Sequence, residues 1–216
     1  MLTFILMGHI ITTYLLVSQY VPDSASTLIA EIKQMSHIMN GIDTQAMQNL
    51  ASEIAAAPEK GAALFGVRTT WCGKCRSESR PTTMRLGGVS HDRKGMAVVD
   101  EPQELLGDDT GLNPMEMLMT ALNGCMTVGY VAGAAARGIT LTKLEIKTEG
   151  ELDLRGFFGL DPLVKPGFDT LRYSVHISGD GTPEQFEEIH QSVMRLSPNR
   201  FNVSMPVRLE ATLCVE

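Results

Sequence analysis

Several features that would define a class of function are missing from this chain of 216 residues. No run of lysine and arginine occurs and the formal net charge is −7, so a nucleic acid is not an expected partner. No Gly-x-Gly-x-x-Gly, phosphate-binding loop or Gly-x-Ser-x-Gly motif is present, which leaves hydride, phosphoryl and serine acyl transfer without support. The five histidines have no metal-ligand spacing, and we therefore expect neither a metal nor an organic cofactor.

Cysteine is also scarce, with four residues placed unevenly at positions 72, 75, 125 and 214. Four cysteines are too few for a disulfide scaffold in a chain of this length, and the pattern favours a reducing compartment. We therefore expect a cytoplasmic protein. Hydrophobic residues make up 44% and charged residues 20% of the sequence, as is typical of one globular domain of ordinary size.

The N-terminal stretch 2–17 is largely apolar, but it lacks the positive segment that a secretory signal needs, since the first basic residue is Lys33. It is also shorter than the roughly 20 residues of a typical membrane span. Three interpretations remain open: a signal or anchor segment, an added helix, or a start assigned too early, with translation beginning at Met35 or Met39. We treat residues 1–39 as an extension and residues 40–216 as the domain, and we do not expect a membrane partner.

The central part of the sequence predicts a long helix. Asn113 is a good N-cap and Pro114 suits the first helical position, where no N–H is needed. From there to Ala136 the residues are almost all apolar or small, and Gly138 provides a stop. A helix that is apolar on nearly every face is expected in a core. Cys125 lies in it and is therefore either a small core residue or a nucleophile.

The other segments predict an α+β fold with helices on one side of a mainly antiparallel sheet. Asp43 is expected to cap a helix that ends near Ala57. A capping box at Thr182 opens a second helix, whose apolar face is Phe186, Ile189, Val193 and Leu196 and which Ser197-Pro198 ends. Strands are expected at 64–71, from 76 onward, at 96–99, 144–148, 171–177 and 207–215, with loops at 100–112 and 156–167.

Cys72-Gly73-Lys74-Cys75 lies between two expected strands and predicts a tight hairpin turn with Gly73-Lys74 at its centre. The motif superficially resembles that of thioredoxin, but no helix follows to activate a thiol. A zinc site would need four ligands, and the other two cysteines are isolated. Two interpretations remain: a reversible cross-strand disulfide between Cys72 and Cys75, or two unlinked thiols at a turn.

Cys125 has no activating neighbour in the sequence. A reactive thiol must become a thiolate, which requires a cation or an N–H donor nearby. Any such group, for example an arginine, has to come from elsewhere in the fold. On the same helix, Gly129 and Gly133 form a Gly-xxx-Gly pair that favours close helix packing over membrane dimerisation.

Residues 40–216 resemble the OsmC/Ohr family, the osmotically induced protein C and organic hydroperoxide resistance proteins, and are most similar to its OsmC-like branch. Four stretches carry the resemblance: Thr70-Trp71 with Gly73 and Arg76; Asp100-Glu101-Pro102 leading to Gly111 and Asn113-Pro114-x-Glu116; Ala121-Leu122-x-Gly124-Cys125; and Ser197-Pro198 with Met205-Pro206-Val207. The branch is indicated by the segments 150–160 and 165–168.

The resemblance implies an intertwined homodimer with antiparallel sheets, a long buried central helix, a second helix, and active sites at the subunit interface. It also implies peroxidase chemistry on organic hydroperoxides. By position, Cys125 would be the peroxidatic thiol, which attacks the peroxide oxygen and becomes a sulfenic acid. Arg76 would match the arginine that stabilises the thiolate.

Two positions depart from the family's pattern. Where the peroxidases have a glutamate directly after Asn-Pro to orient the arginine, this chain has Met115, and the acid is Glu116. One residue corresponds to about 100° around a helix, so the direction of Glu116 differs. The family's resolving cysteine is replaced by Ser197, which cannot form a disulfide with Cys125. Resolution would then need a small thiol, a thioredoxin-like protein, or Cys72 and Cys75.

Two functions of different classes follow. The first is a thiol-dependent peroxidase that reduces small organic hydroperoxides through Cys125, with Arg76 and Glu116 as further site residues. The alternative is a non-enzymatic OsmC-like protein that binds a small hydrophobic or thiol-reactive molecule at the dimer interface.

Overall fold

The computed structural model describes residues 37–215, so the interpretations of the apolar stretch 2–17 lie outside the described residues. In this part of the chain the helices are α1 (Thr44–Ala56), α2 (Pro114–Ala135), α3 (Leu154–Phe157), α4 (Pro183–Leu196) and α5 (Pro198–Ser204). The strands are β1 (Ile38–Met39), β2 (Ile42–Asp43), β3 (Ala63–Leu64), β4 (Val67–Trp71), β5 (Ser77–Pro81), β6 (Met84–Leu86), β7 (Val89–His91), β8 (Ala97–Val99), β9 (Leu141–Gly150) and β10 (Leu171–Gly179).

All the strand pairs are antiparallel, and the α+β prediction is confirmed at this level. β9 and β10 form a long hairpin, and β1 pairs with β2. Two three-stranded sheets have the orders β3-β6-β7 and β4-β5-β8. The strand expected over 64–71 is divided, because Gly66 lies between β3 and β4 and its carbonyl accepts a hydrogen bond from the Thr82 N–H.

The core forms where α2 and α4 pack on one face of the β9-β10 hairpin. Its buried members are Leu122, Met126, Tyr130, Ala134, Ile139, Ile189 and Val193. Gly129 and Gly133 face α4, where an added Cβ would lie 3.0 Å from Val193 Cγ2 and 3.0 Å from Ile189 Cγ2, respectively. The prediction that this glycine pair allows close helix packing is confirmed.

Helix α2 begins with a full capping box. The Asn113 side chain accepts from the Glu116 N–H at 2.8 Å, and the Glu116 carboxylate accepts from the Asn113 N–H at 2.9 Å. In this chain only one face of the helix is buried, and Val128 on another face is 67% exposed. This corrects the expectation of burial on nearly every face. By length and composition α2 is the one helix of residues 37–215 that could span a membrane.

The C-terminal half of α4 differs from the predicted face in one place. Ile189 and Val193 are buried, but Leu196 is 66% exposed. The buried row continues with four-residue spacing to Ser197, which is 6% exposed. Ser197, at the expected end of the helix, therefore lies on the inner face, and a further short helix, α5, follows it.

The last strand, expected over residues 207–215, is not formed within residues 37–215 of the chain. The segment alternates apolar and polar residues, yet Val207, Leu209, Leu213 and Val215 are all more than half exposed. The alternation is that of a half-buried strand. Such a strand must pair with the edge of a sheet, and no strand of the described chain pairs with this segment.

The loop between β8 and α2 is organised by Asp100, which is 1% exposed. Its carboxylate accepts from the Thr110 hydroxyl at 2.8 Å and from the N–H groups of Glu101, Asp108 and Thr110 at 2.9, 3.3 and 3.2 Å. Four donors on one buried carboxylate bring the ends of the loop together and place the start of α2 against β8. The expected loop over 100–112 is confirmed, with a short 3₁₀ turn at Gln103–Leu105.

Candidate functional site

Cys125 lies in the fourth turn of α2 and is partly buried. Two groups from a distant part of the chain donate hydrogen bonds to its sulfur. The Ser197 hydroxyl lies 3.3 Å from Cys125 Sγ, and the Asn199 N–H donates to it across 3.5 Å. The donors that the neighbouring sequence lacks are therefore supplied by the junction between α4 and α5.

This junction is held in place by several contacts. Pro198 opens α5, and Ser197 stands at the N-cap position without making a side-chain cap bond, because its hydroxyl is directed at Cys125 instead. Asn199 Nδ2 donates to the Ala121 carbonyl at 2.8 Å, which ties the start of α5 to α2. Arg200 donates to the Tyr173 hydroxyl at 3.2 Å and to the Met194 carbonyl at 2.6 Å.

The two donors both point at the sulfur. A cysteine sulfur accepts hydrogen bonds as a thiol and as a thiolate, so these contacts are compatible with either form. The sequence does not assign Asn199 to the site, and it marks Ser197 only as a helix end and as the replacement of the family's resolving cysteine. A signal was present, because Ser-Pro is also a helix-start pattern with an N-cap residue before proline at the first position.

Cys125 also opens onto an apolar face of α2. Leu118, Ala121, Cys125 and Val128 follow one another at spacings of three and four residues and so share a face of the helix. Leu118 is 39% and Val128 67% exposed. At Gly124, directly before the cysteine, an added Cβ would meet no atom within 4 Å. The surface of α2 beside Cys125 is therefore apolar, and it is left uncovered by the described part of the chain.

Arg76 follows the turn of the β4-β5 hairpin, and its guanidinium pairs with Glu78 through a 2.8 Å contact between Nη2 and Oε1. The hydrogen bond to Glu78 raises the pKa of Arg76, and the same bond holds the pKa of Glu78 below its usual value. The carboxylate that orients Arg76 is thus its neighbour on the strand, whereas Glu116 is engaged in the helix cap. Among residues 37–215, no hydrogen bond joins Arg76 to Cys125.

The β4-β5 turn differs from the predicted two-residue turn. The Cys72 N–H donates to the Arg76 carbonyl at 2.8 Å, so Cys72 faces Arg76 and the connection has three residues. Gly73 and Lys74 both have positive φ, of 106° and 43°, which accommodates the extra residue. Cys72 and Cys75 are therefore not a cross-strand pair, and both are free thiols.

The two hairpin thiols have different surroundings. Cys75 lies in the turn with Sγ 3.8 Å from the carbonyls of Leu105 and Leu106, in the loop that Asp100 organises. Lys74 pairs with Asp108 of the same loop, which fixes the turn against it. Cys72 directly follows the end of β4 and is exposed. Within the described chain neither thiol contacts Cys125, and no cluster of metal-ligating residues occurs there.

The family comparison matches the second half of the chain. Residues 107–211 match the family model described as OsmC-like protein. This region contains Cys125, Ser197 and Asn199, which are the three residues that the structure brings together. No curated protein matches the chain in sequence.

Solved structures with a similar fold come from several bacteria. An OsmC-like protein from Mycoplasma pneumoniae is 14% identical, with 65% of this chain and 87% of that chain covered and a TM-score of 0.49. An organic hydroperoxide resistance protein OsmC from Legionella pneumophila is 15% identical, with 65% and 88% covered and a TM-score of 0.43. An osmotic stress induced and detoxification response protein from Psychrobacter arcticus is 13% identical, with 62% and 84% covered and a TM-score of 0.47.

Proposed function

This chain belongs to the OsmC family through residues 107–211, and we propose that it is a thiol-dependent peroxidase that reduces small organic hydroperoxides through Cys125. The observation that carries the proposal is the convergence of the Ser197 hydroxyl and the Asn199 N–H on Cys125 Sγ. Both groups donate to the sulfur, and neither requires it to be protonated. No cofactor or metal enters the reaction.

The proposed reaction is a two-electron oxidation of Cys125. The thiolate sulfur attacks the distal peroxide oxygen, an S–O bond forms and the O–O bond breaks. The alkoxide leaves as an alcohol after taking one proton, and Cys125 becomes a sulfenic acid. The apolar face that includes Leu118 and Val128 would receive the organic group of the hydroperoxide, because the transfer of an apolar group out of water is favourable.

We propose that the active unit is a homodimer. Two surfaces support this proposal: the open face of α2, and the outward face of β4 with Val67 68% and Trp71 73% exposed. Apolar surfaces of this extent on a single chain indicate an interface. A second copy would also bring an Arg76 near Cys125, where its charge would stabilise the thiolate, with Glu78 orienting the guanidinium.

The sulfenic acid must then be reduced by another thiol. Ser197 occupies the place beside Cys125 but has no sulfur with which to form a disulfide. We propose a small thiol or a thioredoxin-like protein as the reductant, with Cys72 or Cys75 of a second copy as the internal alternative. The four cysteines are free, as suits a protein of a reducing compartment such as the cytoplasm.

The second candidate function is the binding of a small hydrophobic or thiol-reactive molecule without turnover. The observation that favours it is that Arg76 pairs with Glu78 and has no hydrogen bond to Cys125 within the described chain. The open apolar face beside Cys125 would then be the binding surface. This function needs the apolar face but does not need a reactive thiolate.

The deciding experiment is thiol loss after the reduced protein is mixed with one equivalent of cumene hydroperoxide. We expect rapid loss of one thiol per chain, and dimedone should label Cys125 in the product. The Cys125→Ser variant should lose this reaction, whereas the Cys72→Ser/Cys75→Ser double variant should keep the fast first step. Oxidation of Cys125 no faster than that of a free thiol would reject the peroxidase and favour the binding protein.

A further inference from the structure

A groove of about 660 Å³ lies on the face of the β4-β5 hairpin that carries Cys72. The strand register places Arg68 opposite Arg80 and Thr70 opposite Glu78, and all four residues line the groove together with Cys72. The loop after β7 closes one side with Asp92 and Arg93. Val67 and Trp71 alternate with these residues and lie on the other face of the strand, so the polar groove stays open if the apolar face is covered.

The groove carries a net positive charge, because Arg68, Arg80 and Arg93 outnumber its two carboxylates, Glu78 and Asp92. Arg68 and Arg80 lie directly opposite each other on neighbouring strands, an arrangement of like charges that destabilises a sheet. Arg80 contacts Glu78 at 3.5 Å, but Glu78 already pairs with Arg76. Neither Arg68 nor Arg93 makes an ion pair within residues 37–215. An anion between these guanidinium groups would relieve the repulsion and could be bound by two of them at once.

The Cys72 thiol stands at the end of the same groove. It is exposed, it lies opposite Arg76 on the partner strand, and Sγ is 3.5 Å from the Thr70 carbonyl. Four residues of extended strand separate Cys72 from Arg68, a distance of about 13 Å at roughly 3.3 Å per residue. A ligand that reaches both places has the length of a small peptide and carries negative charge at one end.

From this juxtaposition we infer that Cys72 is a site of mixed-disulfide formation with a carboxylate-bearing peptide thiol. The co-reactant is the disulfide of that thiol. The Cys72 thiolate attacks one sulfur of it, a new S–S bond forms, the original S–S bond breaks, and the other half leaves as a thiolate that takes a proton. The carboxylates lie against Arg68, Arg80 and Arg93 while the exchange occurs.

Cys214 offers a control within the same chain. It is exposed as well, but it lies in the segment 207–215, whose one arginine, Arg208, is paired with Glu210 at 2.8 Å. A disulfide that reacts only according to exposure would modify both thiols at similar rates. A negatively charged disulfide that is attracted by the arginines of the groove would modify Cys72 faster than Cys214.

The experiment uses the Cys125→Ser protein, so that its outcome does not depend on the peroxidase reaction. The reduced protein is incubated with oxidised glutathione, and separately with the neutral bis(2-hydroxyethyl) disulfide, and adducts are mapped by mass spectrometry over time. We expect oxidised glutathione to modify Cys72 on the order of tenfold faster than Cys214, as electrostatic attraction of an anion allows. The preference should vanish with the neutral disulfide and fall as salt is added.

The Arg68→Gln/Arg93→Gln variant should slow the reaction of Cys72 with oxidised glutathione and leave its reaction with the neutral disulfide unchanged. Arg85→Gln, on β6 and outside the groove, is the matched control and should change neither rate. Equal rates at Cys72 and Cys214 with oxidised glutathione would overturn the inference. Equal slowing of both disulfides by the double variant would also overturn it, because that result would show altered exposure and no anion site.

Discussion

Ser197 Oγ lies 3.3 Å from Cys125 Sγ, although the two residues are 72 positions apart in the chain. The contact joins the end of α4 to the middle of α2, the two helices that form most of the core. Ser197 is 6% exposed, so its hydroxyl has few partners other than the sulfur. In the proposed reaction, the side chain at position 197 would therefore be a direct neighbour of a sulfenic acid at Cys125.

We predict that Ser197→Cys converts the site to one that closes an intramolecular disulfide. A cysteine sulfur at this place would need only side-chain rotation to approach Cys125 Sγ, and a sulfenic acid condenses readily with a thiol. After one equivalent of cumene hydroperoxide, non-reducing peptide mapping should show a 125–197 linkage and no dimedone adduct.

The matched control is Ser204→Cys, which makes the same exchange at the last residue of α5. Seven residues of helix place it about 10 Å farther along the axis, at roughly 1.5 Å per residue. This variant should retain a sulfenic acid that dimedone labels. If Ser197→Cys also retains the sulfenic acid in full, the two side chains do not approach each other in solution as they do in this structure.

A second prediction concerns the contact between α2 and α4. In Gly129→Ala the added Cβ would lie 3.0 Å from Val193 Cγ2, and Val193 is 4% exposed and cannot move into solvent. We expect a net loss of about 1–3 kcal/mol in the free energy of unfolding, as for other overpacked cores. Urea denaturation monitored by circular dichroism measures this loss.

Gly124→Ala is the control on the same helix, because the added methyl meets nothing within 4 Å. It should stabilise the chain by about 0.5–1 kcal/mol through helix propensity alone. Changes of opposite sign in the free energy of unfolding of the two variants would distinguish the effect of core packing from that of helix propensity. Equal free energies of unfolding for the two variants would contradict the close contact at Gly129.

A third prediction follows from the buried Tyr130 hydroxyl, which lies 2.6 Å from His190 Nδ1. Burial raises the pKa of Tyr130 to about 12. The unfolded chain loses this proton near pH 10, while the folded chain keeps it until about pH 12. Between these pH values the folded state holds the extra proton, so stability is full below pH 10 and falls by about 1.4 kcal/mol per pH unit above it.

Urea denaturation at pH 9, 10 and 11 should show this decline in the parent protein and a shallower one in Tyr130→Phe. The variant should also be less stable at neutral pH, since His190 Nδ1 loses its partner. Tyr173→Phe, which keeps Tyr130, serves as the control and should retain the steeper decline. Parallel curves for the parent and Tyr130→Phe would show that Tyr130 ionises equally in both states.

A fourth prediction concerns acid stability and Asp100. The Thr110 hydroxyl above all, with three backbone N–H groups, holds the pKa of Asp100 below its usual value against the effect of burial. A lowered folded-state pKa contributes stability above the unfolded value, and this contribution is lost as the pH falls through the folded value.

Asp100→Asn should therefore lower the urea midpoint at pH 7 and flatten its dependence on pH in the acid range. Its amide nitrogen would also face N–H donors in place of an acceptor. Asp109→Asn, an exposed change in the same loop at a residue with φ of 55°, should have little effect. A pH dependence of Asp100→Asn equal to that of the parent would show that Asp100 does not contribute to acid unfolding.

The elements that sequence predicts well here are those with local signals. The caps at Asp43, Asn113 and Thr182 mark the starts of α1, α2 and α4, and the structure has the helices there. The alternation through Leu144 and Tyr173 marks β9 and β10. These signals act between residues a few positions apart, so they need no knowledge of the rest of the chain.

The errors concern contacts that the local sequence pattern does not decide. The β4-β5 turn takes three residues because Cys72 pairs with Arg76, and the local glycine pattern does not distinguish this register from the shorter one. Likewise Glu116 could be an orienting acid or a capping residue by sequence, and only the position of Glu78 beside Arg76 separates the two.

The sequence by itself determined the class of the fold and the caps of its helices, because these depend on the pattern of neighbouring residues, and its resemblance to the OsmC/Ohr family marked Cys125 as the thiol of interest. The tertiary structure alone decided which donors reach that thiol. Ser197 and Asn199 arrive 72 and 74 residues later in the chain. They reach Cys125 because the core places α2 against α4, where Gly129 and Gly133 allow the two helices to approach closely. Hydrogen bonds act only over about 3 Å, so the chemistry of Cys125 depends on this packing.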